Sequence, residues 1–103
     1  MTSDHDVIMR HVIVRGRVQG VGFRYWTEQE ALVREIEGFV RNRRDGSVEA
    51  LFAGPAPPVA QMVDAVRRGP PGARVSQVLE SDGSPDLLAL RRPGERFSVL
   101  ATV

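Results

Sequence analysis

Residues 39–53 read FVRNRRDGSVEALFA, and the fold turns on how they are read. Asp45-Gly46 is a dipeptide suited to a two-residue hairpin turn with positive φ. Strand-like residues flank it, 39–44 before and 47–53 after, so a β-hairpin is expected here. Just upstream, Gly38 ends the stretch FRYWTEQEALVREI, residues 23–36, which has no Pro or Gly and reads as a helix. Trp26, Val33 and Ile36 can share one of its faces, with Leu32 off it. Before that helix, residues 16–22 read GRVQGVG, a loop signal. Residues 7–15 are rich in β-branched side chains, and Ile8, Val12, Ile13 and Val14 point to a largely buried strand.

Downstream of the hairpin, Gly54-Pro55-Ala56-Pro57-Pro58 breaks the chain, and proline suits the first turn of a following helix. Val59, Met62, Val63 and Val66 recur at i, i+3, i+4 and i+7, which predicts an amphipathic helix running to about Arg68. Gly69-Pro70-Pro71-Gly72 ends it. Residues 74–81 then read as a strand, facing inward with Val75 and either Leu79 or Val78. Residues 82–95 are loop-rich. Residues 96–102 read as a last strand, with Phe97, Val99 and Ala101 alternating against Ser98, Leu100 and Thr102.

The expected order is β-α-β-β-α-β with a short extra terminal strand. Two crossovers and one hairpin make a ferredoxin-like α+β sandwich, an antiparallel or mixed sheet with both helices on one face. The 103 residues suffice for a single domain over 1–103, with 1–6 expected to be a flexible tail. That fold hosts many activities, so function has to come from the site.

Composition removes several classes. No apolar run approaches the ~20 residues of a membrane helix, and MTSDHDVIMR has no secretory apolar core, so a cytoplasmic, non-membrane protein is expected. A net charge of +1 argues against a nucleic-acid or membrane partner. Cysteine is absent, which removes disulfides, thiolate metal sites and a cysteine nucleophile. All 14 basic residues are Arg, so any cationic work falls to guanidinium rather than ammonium. His5 and His11 are too few and too near the N-terminus for a metal site or triad. A metal-independent monomer is expected.

Two constellations can carry chemistry. In the first, a strand leads into the glycine-rich loop and a helix begins near Phe23-Arg24. Successive backbone N–H groups of such a loop can turn toward one point and hold an anion. The helix start adds unpaired donors and the positive end of its dipole. Arg24, in the first helical turn, can bind that anion bidentately. The alternative is a plain strand-to-helix connection with Arg24 as a solvated charge. This is not a Walker phosphate loop, whose lysine and Ser/Thr are missing. In the second, Asn42 sits late in a strand, where Asn is disfavoured. It either hydrogen-bonds the turn or faces a site. Arg41, Arg43 and Arg44 beside it either solvate the hairpin or draw in a dianionic substrate. Phe23 and Trp26 are expected in the core or as pocket wall.

Together the two segments resemble the acylphosphatase family. Gly16-x-Val18-Gln19-Gly20-Val21-x-Phe23-Arg24 is similar to the family's first signature, and Gly38-x-Val40-x-Asn42-x-x-Asp45-Gly46-x-Val48-Glu49 to its second. The family's βαββαβ fold covers nearly the whole chain. The resemblance implies hydrolysis of a small-molecule acyl phosphate to a carboxylate and inorganic phosphate, with no metal and no cofactor. It implies that Arg24 and the loop over Gly16, Val18, Gln19, Gly20, Val21, Gly22 and Phe23 bind the phosphoryl group, and that Asn42 positions the attacking water. Inorganic phosphate or sulfate is then a competing anion.

The chemistry agrees with what the sequence lacks. A carboxylate leaving group, whose conjugate acid has a pKa of roughly 4, departs without a general acid. Phosphoryl transfer asks mainly for positioning and charge stabilisation. The family usually places an apolar residue and then glycine near the end of the first helix, where this chain has Arg34 and Glu35. Two other readings stay open: a non-catalytic anion- or protein-binding module, and a carbamoyl-phosphate-handling domain like those that begin larger maturation enzymes.

Overall fold

A computed structural model describes residues 6–103; most of the expected tail, with His5, lies outside the described residues. The elements are β1 (Val7–Arg17), α1 (Phe23–Val33), β2 (Glu37–Asn42), β3 (Val48–Pro55), α2 (Ala56–Arg68), β4 (Arg74–Asp82), α3 (Pro85–Leu88) and β5 (Phe97–Val99). The sheet runs β4-β1-β3-β2-β5. All neighbours are antiparallel except β2 and β5, which are parallel, so the sheet is mixed.

The core lies between the sheet and the helices α1 and α2. Val12, Val14, Val40, Val48, Ala50, Phe52 and Phe97 face it from the strands, and Val59, Met62, Val63 and Val66 from α2. The predicted α2 stripe is thus the buried one. On α1 the buried stripe is Phe23, Thr27 and Ala31; of the expected Trp26–Val33–Ile36 face, Ile36 is buried just past the helix end and Trp26 packs against the core, but Val33 is 79% exposed. Thr27 can be buried because its hydroxyl donates to the Phe23 carbonyl at 2.8 Å, and Ala31 lets the helix approach the sheet.

Four further expectations change in detail. The hairpin turn is not a two-residue one. Gly46 N–H donates to the Arg43 carbonyl, Arg43 N–H donates to Ser47, and only Gly46 has positive φ, as in a three-residue connection ending in a bulge. β1 runs to Arg17 rather than Arg15, because Gly16 pairs with Val75 across a bulge in β4. A Cβ at Gly16 would stand 2.1 Å from the Arg74 carbonyl oxygen, so only glycine allows that approach. The bulge also breaks the alternation of β4, putting Val75 and Val78 on the core side and leaving Leu79 43% exposed. The stretch after β4 contains α3, capped by the Ser84 hydroxyl, which accepts from Leu87 N–H. The last strand is short, and Leu100 and Val103 instead donate singly to the Val40 and Asn42 carbonyls.

The helix end carries a cost. α1 stops at Val33, and Glu35 turns the chain toward β2 with φ 56, in the left-handed region. Its only ion pair among the described residues is a loose exposed one with Arg96 at 3.8 Å, worth little. The left-handed conformation costs a non-glycine residue about 1–2 kcal/mol, against roughly 0.4–1 kcal/mol of extra unfolded-state entropy for glycine. Glu35→Gly should therefore stabilise the fold by about 0.5–1 kcal/mol, read as a higher urea midpoint at unchanged slope.

Candidate active site

Val40 is the last core residue on its face of β2, and Asn42, two residues on, continues the same inward row past the end of the core. There it meets the β1–α1 loop and the start of α1. A concavity of about 180 Å³ opens between them, lined by Val18, Gln19, Gly20, Gly22, Phe23, Arg24, Tyr25 and Asn42. Val18 and Phe23 are buried beneath it and root the loop in the core, Phe23 edge-on to Trp26 at 5.5 Å.

The loop is rich in free donors. Among the described residues, the N–H groups of residues 19–25 donate no backbone hydrogen bond. Gly22 is the N-cap of α1 in the left-handed conformation (φ 77, ψ 19), which turns the chain so that the helix start faces the concavity. Arg24 is half-buried and forms no ion pair among the described residues. The Asn42 Oδ1 is buried and has no hydrogen-bond partner there. An unmet buried acceptor costs about 1–3 kcal/mol, so the oxygen is set for a donor brought from outside. The loop is fastened to the hairpin by Gln19, whose Nε2 donates to the carbonyls of Arg43 at 2.7 Å and Ser47 at 2.8 Å.

The sequence profile of the acylphosphatase family matches residues 10–88. An acylphosphatase of Rhodopseudomonas palustris (strain BisB18) is 60% identical over 98 residues, covering 95% of this chain and 99% of that one. The chain belongs to the acylphosphatase family. Among solved structures, the acylphosphatase of Bacillus subtilis superposes with a TM-score of 0.77 at 38% identity, over 92% of this chain and 99% of that one. An acylphosphatase from Coxiella burnetii gives 0.79 at 28% identity, over 92% and 94%. The family's ferredoxin-like fold is the fold seen here.

Within this acylphosphatase scaffold, Arg24, Asn42, Val18, Gln19, Gly20, Gly22 and Phe23 meet at the concavity, while Gly16 and Val21 do not line it. Gly16 lies at the β1–β4 bulge, and Val21 packs against the core. Gln19 lends its side chain to the hairpin, leaving its N–H to the loop. Tyr25 lines the concavity although no sequence signal singled it out. A larger depression of about 390 Å³ lies at the other end of the sheet. Its Arg34, Glu35, Glu37 and Arg96 are already engaged in ion pairs, with Glu30, Arg96, Arg91 and Glu35 in turn.

The opposite face of the sheet holds a charged cluster beside the site. Arg41, which points away from Asn42, donates through Nε to Glu49 at 2.7 Å, and His11 Nε2 lies 2.7 Å from the other carboxylate oxygen. Neither Arg41 nor His11 is therefore a free surface charge. Hydrogen bonding by His11, reinforced by Arg41 and opposed by burial, lowers the Glu49 carboxyl from 4.5 to about 2. A depressed carboxyl stabilises the fold above its unfolded value and loses that contribution as pH falls through the folded one. Glu49→Gln should cost on the order of 2 kcal/mol at neutral pH. In urea titrations the gap between wild type and variant should close as pH falls from 4.5 to about 2.

Proposed function

We propose that the concavity between residues 18–25 and Asn42 is the centre at which this protein hydrolyses acyl phosphates to a carboxylate and inorganic phosphate. The activity follows from family membership at 60% identity over nearly the full chain. The division of roles is our own reading. One observation carries it: free loop amides, an unpaired guanidinium and a buried, unpartnered amide oxygen converge on one small cavity.

In this reading the phosphoryl oxygens lie among the loop N–H groups at the start of α1, and Arg24 bonds two of them. Both contacts strengthen as charge gathers on the equatorial oxygens. Asn42 Oδ1 accepts a hydrogen bond from the attacking water and holds its oxygen in line with phosphorus. An amide is a poor base but a good orienter. The new oxygen–phosphorus bond forms as the bond to the carboxylate oxygen breaks, and the electron pair leaves with the carboxylate. The water's proton passes to phosphate or solvent, and no general acid is needed. One chain supplies every group named, which supports action as a monomer; a cytoplasmic site of action belongs to the same proposal. Among the described residues, no helix is long and apolar enough to cross a membrane.

Arg24 contacts the phosphoryl group in ground and transition states, whereas Asn42 contacts only the water. Arg24→Ala should abolish both turnover and phosphate binding. Folded Asn42→Ala should lose about 10²–10³ in kcat while phosphate affinity changes by less than about tenfold. Near-normal turnover in Asn42→Ala would refute these roles. Inorganic phosphate and sulfate should inhibit competitively against benzoyl phosphate; purely non-competitive inhibition would move the anion site elsewhere.

A further inference from the structure

The reaction assigns partners to the phosphoryl group and the water but none to the acyl group. In a carboxylic–phosphoric anhydride a single bridging oxygen separates phosphorus from the acyl carbon. The acyl chain must therefore emerge at the mouth of the cavity that holds the phosphoryl group.

That mouth is unevenly furnished. A Cβ placed on Gly20 or Gly22 would meet nothing within 4 Å, so this side of the rim is bare backbone beside open space. Val18 and Phe23 lie buried below, and Gln19 is turned to the hairpin. Of the lining residues, Tyr25 alone presents a large side chain with an apolar body to solvent, 67% exposed. Its ring joins no aromatic pair among the described residues, although Phe23 and Trp26 pair with each other in the same helical turn. Tyr25 follows Arg24 in the first turn of α1, and both residues line the concavity.

We propose that Tyr25 is the specificity-determining residue for the acyl group, its ring packing against apolar and above all aromatic acyl chains. The inference rests on the acyl phosphate reading above. A small acyl group held by its phosphate end covers little of the ring, whereas a benzoyl group can lie against it. Aromatic pairing adds to the burial of apolar area, so the ring discriminates among substrates without touching the reacting atoms.

The test compares kcat/KM for benzoyl phosphate and acetyl phosphate in wild type, Tyr25→Phe and Tyr25→Ala. The benzoyl-to-acetyl ratio should fall about fivefold in Tyr25→Ala, the scale of one aromatic contact, and be retained in Tyr25→Phe. An unchanged ratio in Tyr25→Ala, or an equal loss on both substrates, overturns the proposal. A second measurement needs no turnover: calorimetric binding of benzylphosphonate against methylphosphonate. A preference for the aromatic probe that disappears in Tyr25→Ala supports the contact, and one that survives the substitution overturns it. A wild type that shows the Tyr25-dependent preference yet hydrolyses neither acyl phosphate would uphold the contact and sink the hydrolytic reading.

Discussion

Two hydrogen bonds from one side-chain amide, Gln19 Nε2 to the carbonyls of Arg43 and Ser47, join the two halves of the site. The halves come from separate parts of the fold. Arg24 rides on the first turn of α1, which follows β1, Asn42 sits on the end of β2, and β3 runs between β1 and β2. Neutral hydrogen bonds contribute only about 1 kcal/mol each to stability, so their importance is geometric. A nucleophile misplaced by about 1 Å can cost on the order of 10² in rate. Gln19 sets the loop against the turn that follows Asn42.

The same alternation that builds the core builds the site. On the helix-facing side of β2, Gly38, Val40 and Asn42 follow one another, and the row changes from apolar to polar where it meets the loop that leads into α1. On the other side, Phe39 and Arg41 face Leu51 and Glu49 across the strand pair, and the Arg41 guanidinium lies 5.2 Å over the Phe39 ring. Arg41, which precedes Asn42, is thus held on the far side of the sheet by Glu49, whose other carboxylate oxygen meets His11. Arg24 is left as the guanidinium lining the concavity.

Much of this was legible in the chain. The glycine-rich loop, the Asp45-Gly46 turn and the apolar period of α2 are local signals, decided by residues within one or two turns of one another. They suffice for the element order, and the two signatures suffice for the family. Less legible were features set by distant partners. Thr27 joined the buried face of α1 because its hydroxyl could meet its hydrogen bond inside the helix. The choice of Val78 over Leu79 on the inner face of β4 was made by a bulge opposite Gly16, which displaced the alternation by one residue. The short terminal strand and its parallel pairing depend on β2, far away in sequence.

By itself, the sequence determined that the chain forms a βαββαβ unit, that its glycine-rich loop lies between β1 and α1, and that arginine is its only strong base. These follow from turn propensity, periodicity and composition, which act over short range. Only the tertiary structure decided that Gln19 serves as a tie, that Gly16 is a packing residue outside the concavity, and that Tyr25 stands at its rim. It also decided that Glu49 holds Arg41 away from Asn42. These follow from bringing residues distant in sequence together, and the strand register that does so is fixed by burying one face of the whole sheet at once.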